Sequence, residues 1–364
     1  MVWIGLSVCL LYAGALEYLR IQWMDIPTSF LSNELRPVSI IIPARNEQDC
    51  LAKTLQSVFD NNYPAELVEV IVVDDHSLDA TAEVASSFGE CVRLLRLGDH
   101  LHGKKAAITL AVEKASSDII ICTDADSLVG QEWIRSHVTG YLNGSKLSFG
   151  AVQYAEGTYS SVLNLELSAL VLFGAVYNST NRPGMINGCN YSFDRKAFMS
   201  VGGFVGNEKV PTGDDEFLLR KILSEYPEGA RFIKSEEIMV TTAPPKRISD
   251  FLHQRRRWAS KWRIHDDLES KVAPIILFSG YTIILVALFT AVTDRYLCSF
   301  FLLGIIIKSV SEYRFCSGIT KIGGRQVRWR EVLMLQFIYP VYVIIVGMTS
   351  NFGKYSWRGR EYHI

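Results

Sequence analysis

The fold is decided by three stretches of sequence: VSIIIPARNE at residues 38–47, VEVIVVDD at residues 68–75 and DIIICTDAD at residues 118–126. Each contains a run of mostly β-branched apolar residues, which is typical of a strand buried on both faces. Segments of helical character separate the runs, at residues 49–60, 80–88 and 104–115. Strands that alternate with helices predict βαβ units, and hence an α/β domain with a mainly parallel sheet.

Polar clusters follow each of the three runs, at residues 45–47, 74–75 and 124–126. In open α/β sheets, ligands bind beyond the carboxyl ends of the strands, so we expect these clusters to line one crevice. Two carboxylates directly after a buried strand, Asp124 and Asp126, can hold a hard divalent cation through oxygen. Such a cation can neutralise a diphosphate leaving group. An isolated Asp-x-Asp is also common in turns, so the hypothesis depends on the convergence of the clusters.

Composition narrows the function classes. The 364 residues carry 37 Lys and Arg against 38 Asp and Glu, which gives no electrostatic argument for a nucleic-acid partner. A hydrophobic content of 49% excludes a mainly disordered chain. The seven cysteines are scattered without a CxxC pair, which argues against a disulfide framework or a zinc site. His100 and His102 alternate as in a metal-binding arm, but without a third ligand nearby we read them as loop residues.

Uncharged segments flank the α/β region. Residues 2–16 contain no charge and predict an N-terminal membrane anchor over residues 1–20. A cleaved signal peptide is the alternative, and the lack of Lys or Arg ahead of the apolar run disfavours it. Residues 272–292 are long enough to span a bilayer, and further apolar runs follow at 296–307 and 332–350. We therefore predict membrane helices over residues 271–350.

The distribution of basic residues predicts the orientation. A basic loop precedes the last apolar run, with Lys308, Arg314, Lys321, Arg325, Arg328 and Arg330. The positive-inside rule places this loop in the cytosol, and two crossings then place residues 37–270 there as well. The basic tail, residues 351–364, also favours the cytosol. This conflicts with a complete span at 332–350, so that segment is either re-entrant or interfacial, or a true span whose tail breaks the charge rule.

Six short motifs occur in the order seen in family 2 glycosyltransferases: PARNE at 43–47, VDDHSLDAT at 73–81, Gly103-Lys104, DAD at 124–126, TGDD at 212–215 and QRRRW at 254–258. The chain resembles this family over residues 37–265, and its hydrophobic flanks resemble the membrane members. The resemblance implies a GT-A fold, which is a mainly parallel sheet flanked by helices with a Rossmann-like, nucleotide-binding arrangement. N- and C-terminal transmembrane helices are added to it.

The resemblance also implies a donor site, formed by Pro43, Arg45, Asn46, Glu47, Asp75, Lys104, Asp124, Asp126 and Arg257. Asp75 would accept a hydrogen bond from the donor base, usually uracil, and residues 43–47 would form the nucleoside wall. Asp124 and Asp126 would hold Mg²⁺ or Mn²⁺, with Asp126 the more direct ligand. Lys104 would lie on the phosphate or sugar side, although a solvated lysine at a helix start is the alternative.

The same resemblance makes Asp215 the general base and puts Asp214, Gln254 and Trp258 on the acceptor side. One base opposite a metal-held leaving group fits inversion by a single displacement. Asp214 is the lesser candidate for the base, and acids at a helix start also have a purely structural explanation. Arg257 would reach the diphosphate, which suits the fork of its guanidinium.

Two further segments have open interpretations. Apolar residues recur at helical spacing from residue 248, so the helix that carries QRRRW could lie at the membrane surface. On this helix we expect Arg255 and Arg256 to face anionic lipid. Residues 188–193, GCNYSF, resemble family segments near the acceptor but could equally be turns and core.

The sequence thus predicts a membrane-embedded, inverting glycosyltransferase, expected in the bacterial inner or plasma membrane with its catalytic domain in the cytosol. Its donor would be a nucleotide sugar, expected to be UDP-linked, and its acceptor a lipid or a membrane-associated glycan. One alternative is a processive polysaccharide synthase, in which QxxRW is common. Another is a non-catalytic membrane scaffold with the same fold. Membrane lipids are expected partners, and nucleic acid is not.

Overall fold

The computed structural model describes residues 1–157, 159–208, 210, 213–260, 268–350, 354–357 and 360–363. Thr212 of the TGDD motif and residues 351–353, 358–359 and 364 of the predicted tail lie outside this range. The described helices are α1 (Val2–Asp25), α2 (Leu51–Phe59), α3 (Thr81–Ser86), α4 (Lys104–Lys114), α5 (Trp133–Leu142), α6 (Ser160–Ser179), α7 (Arg195–Ser200), α8 (Asp214–Glu225), α9 (Ile248–Ala259), α10 (Leu268–Ala291), α11 (Arg295–Thr320) and α12 (Trp329–Thr349). The described strands are β1 (Val38–Ala44), β2 (Val68–Asp74), β3 (Arg93–Arg96), β4 (Ile119–Cys122), β5 (Ser127–Val129), β6 (Leu147–Phe149), β7 (Val152–Tyr154), β8 (Tyr191–Asp194), β9 (Ala230–Phe232), β10 (Val240–Thr242), β11 (Lys354–Trp357) and β12 (Arg360–His363).

The main sheet has the strand order β3-β2-β1-β4-β8-β6-β9. The first four strands in this order are parallel, β8 is antiparallel to both of its neighbours, and β6 and β9 are parallel to each other. The three predicted strands are therefore adjacent at the centre, and their apolar runs are buried as expected. A small second sheet of order β5-β10-β7 lies beside it. The predicted mainly parallel α/β fold is confirmed.

Strand β1 continues through Pro43, where the apolar run alone suggested that it ends. Pairing of β1 with β4 extends only to Ile41, opposite Cys122, whereas pairing with β2 continues to Ala44. Pro43 therefore lies beyond the ladder with β4, so its missing N–H group costs no hydrogen bond on that side.

Five of the described helices are long and apolar enough to cross a membrane: α1, α6, α10, α11 and α12. Helix α6 was not predicted. It joins β7 to β8, and both strands belong to sheets of the α/β domain, so α6 begins and ends on that domain. Helix α11 continues well past the predicted apolar run, and Lys308 and Arg314, assigned to a basic loop from the sequence, belong to it.

Helices α1 and α11 run side by side in the same direction. The rings of Trp3 and Phe300 lie 4.5 Å apart near one end. Near the other end, a Cβ atom on Gly318 would lie 3.0 Å from the indole of Trp23, so the glycine lets the two helices approach closely here. Close approach at small residues is the usual way in which membrane helices pack.

A charged cluster joins these helices to α10 and α12. The ammonium of Lys308 lies 2.6 Å from the Glu312 carboxylate and donates to the Gln336 side-chain oxygen at 2.8 Å. Tyr12 donates to Glu312 at 3.2 Å, and the aromatic rings of Tyr12 and Tyr281 face the ammonium. Charges inside a helix bundle are costly unless they are paired in this way, so the cluster defines the order of the helices.

Helix α12 has both ends near the α/β domain. Its first residue, Trp329, stacks on Tyr313, two turns from the domain end of α11, with ring centroids 4.4 Å apart. At its other end, the Arg256 Nε atom of helix α9 donates to the carbonyl of Thr349 at 3.2 Å. The interior Pro340 allows the helix to bend between these two contacts.

The α/β domain shares one hydrophobic core with the ends of the membrane helices that lie next to it, which we call their inner ends. Trp23 of α1, Ile319 of α11 and Val332 of α12 are buried in the same cluster as the strands β1, β2 and β4. The ring of Trp23 lies 5.6 Å from that of Phe232 in strand β9. The two parts are therefore packed as one body.

His137 is fully buried behind the sheet. Its Nδ1 atom lies 2.9 Å from Ser192 Oγ, and its Nε2 atom lies 3.1 Å from Asn190 Oδ1. Burial lowers the pKa of His137 to about 3, although the hydrogen bond with Asn190 opposes the shift. The imidazole is therefore neutral in the folded protein at pH values where the unfolded chain is already protonated.

We expect the folded protein to lose stability as the pH falls below about 6.5, because only the unfolded state then binds a proton at this histidine. By pH 5 the loss from His137 is about 2 kcal/mol, and it continues to about pH 3. His137→Gln removes the titrating group. Melting temperatures of both proteins, measured in detergent between pH 7 and 5, should therefore fall more steeply for the wild type. Parallel curves would contradict the expectation.

Candidate active site

The loops that follow β1 and β2 are held together by hydrogen bonds. The Asn46 amide nitrogen donates to Ser77 Oγ at 3.0 Å, and the Leu78 amide donates to Asn46 Oδ1 at 2.8 Å. The Glu47 amide donates to Thr81 Oγ1 at 2.8 Å. The backbone of Asn46 has a φ of 54°, a conformation that residues other than glycine rarely adopt. The predicted nucleoside wall is thus a rigid turn.

The Asp75 carboxylate is buried at the centre of this turn. Its Oδ2 atom accepts a hydrogen bond from the Gly103 amide at 3.0 Å, and its Oδ1 atom lies 3.1 Å from His76 Nδ1. Arg45 donates to the carbonyls of Asp75 and His76 from below the loop. The ring of His102 lies 4.7 Å from that of His76.

The sequence interpretation missed this grouping of histidines. Asp75, His76 and His102 place metal-ligand atoms within 4.8 Å of one another, so the third ligand that His102 lacked in sequence comes from another loop. No spacing rule could have found it, because residues 76 and 102 meet only through the β2–β3 crossover. Its position beside Asp75 makes it part of the predicted base-binding region.

Lys104 is the first residue of α4 and lies among carboxylates. Its ammonium is 2.7 Å from Asp124 Oδ1 and 3.2 Å from Asp214 Oδ2, and it donates to the Gly188 carbonyl at 2.7 Å. Burial by itself lowers the pKa of Lys104, but the charges of Asp124 and Asp214 outweigh it and raise the pKa well above its usual value. The lysine is therefore a fixed cation between the DAD and TGDD motifs, which corrects the alternative of a solvated lysine.

Gly188 is where Asp215 joins this group. A Cβ atom at Gly188 would lie 2.6 Å from Lys104 Nζ, 3.2 Å from Asp214 Oδ2 and 3.4 Å from Asp215 Oδ2. Any side chain at this position would displace the cluster. The two predicted candidates for the general base therefore lie side by side against the lysine, at the start of α8.

The two aspartates at the start of α8 have different surroundings. Asp214 Oδ2 accepts a hydrogen bond from the buried Tyr191 hydroxyl at 3.2 Å. Burial and the charge of Asp214 raise the pKa of Tyr191 well above its usual value, so the hydroxyl keeps its proton and donates. Asp215 Oδ1 accepts from the Glu216 amide at 2.8 Å. Asp214 is thus tied to both Tyr191 and Lys104.

The residues at 124–126 fit a hard divalent cation. Asp124 has 41% of its side chain exposed, and Asp126 is half-buried, so both can reach a ligand in the crevice. The nearby Cys189 is buried, and burial together with the charge of Asp124 raises the pKa of its thiol well above its usual value. The donors that residues 124–126 themselves offer are carboxylate oxygens, which Mg²⁺ and Mn²⁺ prefer.

Gln254, Arg257 and Trp258 lie on helix α9. Contacts that the sequence did not reveal hold this helix in place. The Gln254 side-chain oxygen accepts from the Tyr154 hydroxyl at 3.2 Å. Arg255 is buried in an ion pair with Glu166 of α6, so the expectation that it faces lipid is wrong. Trp258 packs on the edge of the domain core, and the roles of Gln254, Arg257 and Trp258 stay predictions.

Residues 188–193 lie partly at the acidic cluster and partly in the core, and their acceptor role stays a prediction. Gly188 lines the acidic cluster, as described above. Asn190 is fully buried and donates to the carbonyls of Ala151 and Ile238, both at 2.7 Å. Tyr191 lies in the core and donates to Asp214.

Residues 39–200 match the family model described as "Glycosyl transferase family 2". The chain is 29% identical to the beta-monoglucosyldiacylglycerol synthase of Nostoc sp. over 234 residues. The matched region covers 61% of this chain and 48% of that protein. It is 24% identical over 268 residues to the poly-beta-1,6-N-acetyl-D-glucosamine synthase of Staphylococcus aureus, covering 71% of this chain and 61% of that one. The chain therefore spans about half the length of the Nostoc relative.

A solved structure covers nearly the whole chain. The mannosyltransferase of Pyrobaculum calidifontis, in complex with GDP-Man and Mn²⁺, superposes with a TM-score of 0.56 at 17% identity, over 95% of this chain and 99% of that one. This similarity concerns the fold. With the strand order of the sheet, it shows that the chain has a GT-A fold, and residues 39–200 within that fold match glycosyltransferase family 2.

Proposed function

We propose that the protein transfers a sugar, with inversion, from a nucleotide-sugar donor to a lipid or membrane-associated glycan. The observation that carries the proposal is the cluster around Gly188, where Lys104, Asp124, Asp214 and Asp215 meet. Such a cluster provides, within one crevice, carboxylates for a metal-held diphosphate and a further carboxylate for an attacking hydroxyl.

The donor nucleoside would bind in the turn formed by residues 45–47 and 75–78. Asp75 would accept a hydrogen bond from the proton on N3 of uracil, and the arrangement of its two oxygens supports this role. Oδ2 accepts from the Gly103 amide and Oδ1 lies 3.1 Å from His76 Nδ1, and these two contacts fix the plane of the carboxylate. Gly103 precedes Lys104 directly, so the same short segment connects the base region with the acidic cluster.

Asp124 and Asp126 would hold Mg²⁺ or Mn²⁺, and the cation would supply neutralisation of the charge that develops on the diphosphate. Binding of Mn²⁺ in the Pyrobaculum structure supports a divalent metal but does not choose between the two. Lys104 would supply a second positive charge at the same place, since its ammonium lies 2.7 Å from Asp124. Arg257 of α9 is the third cation proposed for the diphosphate.

Asp215 would accept the proton of the acceptor hydroxyl as that oxygen attacks the anomeric carbon. The assignment follows the family motif, in which the second acid is the base, and Asp215 lies in the same cluster as Lys104 and Asp214. Asp214 would instead orient Lys104.

A lipid acceptor is supported by two observations. The Nostoc relative is named for a glucosyldiacylglycerol product. In this chain, the inner ends of α1 and α11 share the core of the catalytic domain, so the crevice is held close to the bilayer. The Staphylococcus relative supports the second candidate, a polysaccharide synthase. The length of the product separates them, since one sugar per acceptor excludes polymerisation.

The proposed domain organisation is a catalytic domain over residues 37–270 on the cytosolic side, an anchor near the N-terminus and membrane helices over residues 271–350. We assign crossings to α1, α10 and α11, and a re-entrant or interfacial position to α12. The contacts of Trp329 with Tyr313 and of Arg256 with Thr349 support this position, because both ends of α12 lie near the domain. The basic tail would then face the cytosol and obey the charge rule.

The donor is identified by incubating the membrane fraction with a panel of UDP-sugars and GDP-mannose, each with Mn²⁺ or Mg²⁺, and measuring the released nucleoside diphosphate. We expect metal-dependent turnover of one donor and its loss in Asp126→Ala, because this variant lacks a metal ligand. Asp118→Ala is the matched control, since Asp118 precedes β4 at the opposite end from the site. Equal turnover in both variants would argue against the metal site.

The general base is tested by Asp215→Asn. We expect transfer to fall about 10²- to 10⁴-fold, because the hydroxyl loses its proton acceptor, while affinity for UDP with Mn²⁺ stays the same. Asp214→Asn is the comparison, and its loss should be smaller. Transfer is read as labelled sugar in the organic phase, and affinity by calorimetry. Full transfer by Asp215→Asn with loss in Asp214→Asn would reverse the two roles.

The position of the tail is tested with single cysteines and a membrane-impermeant maleimide, using cells and inverted vesicles. Cys91 is exposed on the catalytic domain and reports that side. Val292→Cys lies at the far end of the α10–α11 hairpin and reports the other side. We expect Ser356→Cys to react in the same preparation as Cys91. Reaction together with Val292→Cys would instead make α12 a complete span.

A further inference from the structure

Helices α6 and α9 are joined by a buried ion pair. The Arg255 side chain is 3% exposed and that of Glu166 is 7% exposed. The Arg255 Nη2 atom lies 2.6 Å from Glu166 Oε2, and its Nε atom lies 3.1 Å from both carboxylate oxygens. This is the fork-shaped contact that arginine makes and lysine cannot.

The remaining surface of the guanidinium is also occupied. Its Nη1 atom donates to the Gln254 side-chain oxygen at 2.7 Å. The rings of Phe251 and Trp258 lie 4.6 and 4.3 Å from its central carbon, within the range of cation–π contact. One buried side chain therefore contacts both Gln254 and Trp258, the two residues of the QxxRW motif proposed for the acceptor side.

Glu166 is fixed in turn by the way in which α6 attaches to the domain. Asn164, half a turn before it, accepts from the backbone amide of Tyr154 at 2.7 Å and donates to the Tyr154 carbonyl at 3.1 Å. The Tyr154 hydroxyl then donates to Gln254 at 3.2 Å. A closed circuit results, running from strand β7 through α6 to Arg255 and through Gln254 back to β7.

Stability alone is a weak explanation for this circuit. A buried ion pair is seldom more stabilising than apolar residues of the same size, whereas it defines one arrangement of its neighbours. Here the neighbours are Gln254 and Trp258 of the proposed acceptor site. The paired arginine, Arg255, contacts both of them. A lipid-facing arginine would have needed neither a buried carboxylate nor two aromatic neighbours.

We propose that Glu166 and Arg255 are positioning residues for the acceptor site, holding Gln254 and Trp258 at a fixed place on helix α9. The inference rests on the proposed function, because it names the part of the site that the pair serves. It assigns to α6, a helix inserted between strands of the GT-A domain, the task of orienting the QxxRW helix.

The kinetic test compares transfer with donor hydrolysis in Glu166→Gln, which leaves the guanidinium without its charged partner. Transfer is followed as label moving from the donor into endogenous lipid, and hydrolysis as nucleoside diphosphate released by protein washed free of lipid. We expect the ratio of transfer to hydrolysis to fall about tenfold, because misplacing a binding residue slows the step that needs it. Affinity for UDP with Mn²⁺ should change less than twofold.

Three further variants separate positioning from folding. Arg255→Lys keeps the charge but loses the fork, and we expect it to lower the same ratio, while Glu166→Asp, which keeps a carboxylate, should partly restore it. Lys146→Met breaks a partly buried pair with Asp194 at the opposite end of β8 and should leave the ratio unchanged. Equal losses of transfer, hydrolysis and UDP affinity in Glu166→Gln would show that the pair serves folding only, and would overturn the proposal.

Amide hydrogen exchange tests the connection without any assay of activity. In Glu166→Gln, exchange in residues 248–257 should accelerate at least fivefold relative to the wild type, whereas exchange in α8 should not change. Lys146→Met should leave both segments unchanged. If the wild type shows no transfer, the proposed function fails while this measurement still decides whether Glu166 orders α9. Unchanged exchange in α9 would overturn the inference even in an active enzyme.

Discussion

The active-site region depends on one cation held among acids that would otherwise repel one another. Asp124 follows β4, whereas Asp214 and Asp215 begin α8, and the charges of all three converge at the carboxyl edge of the sheet. The ammonium of Lys104 lies between them and is bound by the Gly188 carbonyl as well. The absence of a side chain at Gly188 makes this arrangement sterically possible. Sheet order, the α4 start and the α8 start all contribute to the geometry of this single contact.

The membrane helices and the α/β domain pack together as one unit. Their inner ends are buried with the central strands, and the Lys308 cluster sets their mutual order. Helix α6 has a central place in this arrangement, because it contacts the helix bundle on one side and carries Glu166 toward helix α9 on the other. The QRRRW helix and the bundle therefore meet at an element that belongs to neither the sheet nor the predicted spans.

The sequence predicts the part of this structure that local patterns encode. β-branched runs identified β1, β2 and β4, and the acids at their ends were correctly expected to gather at one edge of the sheet. The pairing of Glu166 with Arg255 left no such signal, since residues 89 apart meet only through tertiary packing. A run of three arginines after an apolar stripe reads as a lipid-facing surface, and burial of one of them depends on a partner helix. The same reason hid the contact of His102 with His76.

The shared hydrophobic core limits how the chain can be truncated. A fragment cut to residues 37–270 would lose Trp23, whose ring covers Phe232, and Ile319, which packs beside the central strands. Its freshly exposed apolar face would lie next to the sheet, where solvent has no access in the intact chain. Trimming the protein to a water-soluble catalytic piece would therefore remove part of the domain's own interior along with its anchor.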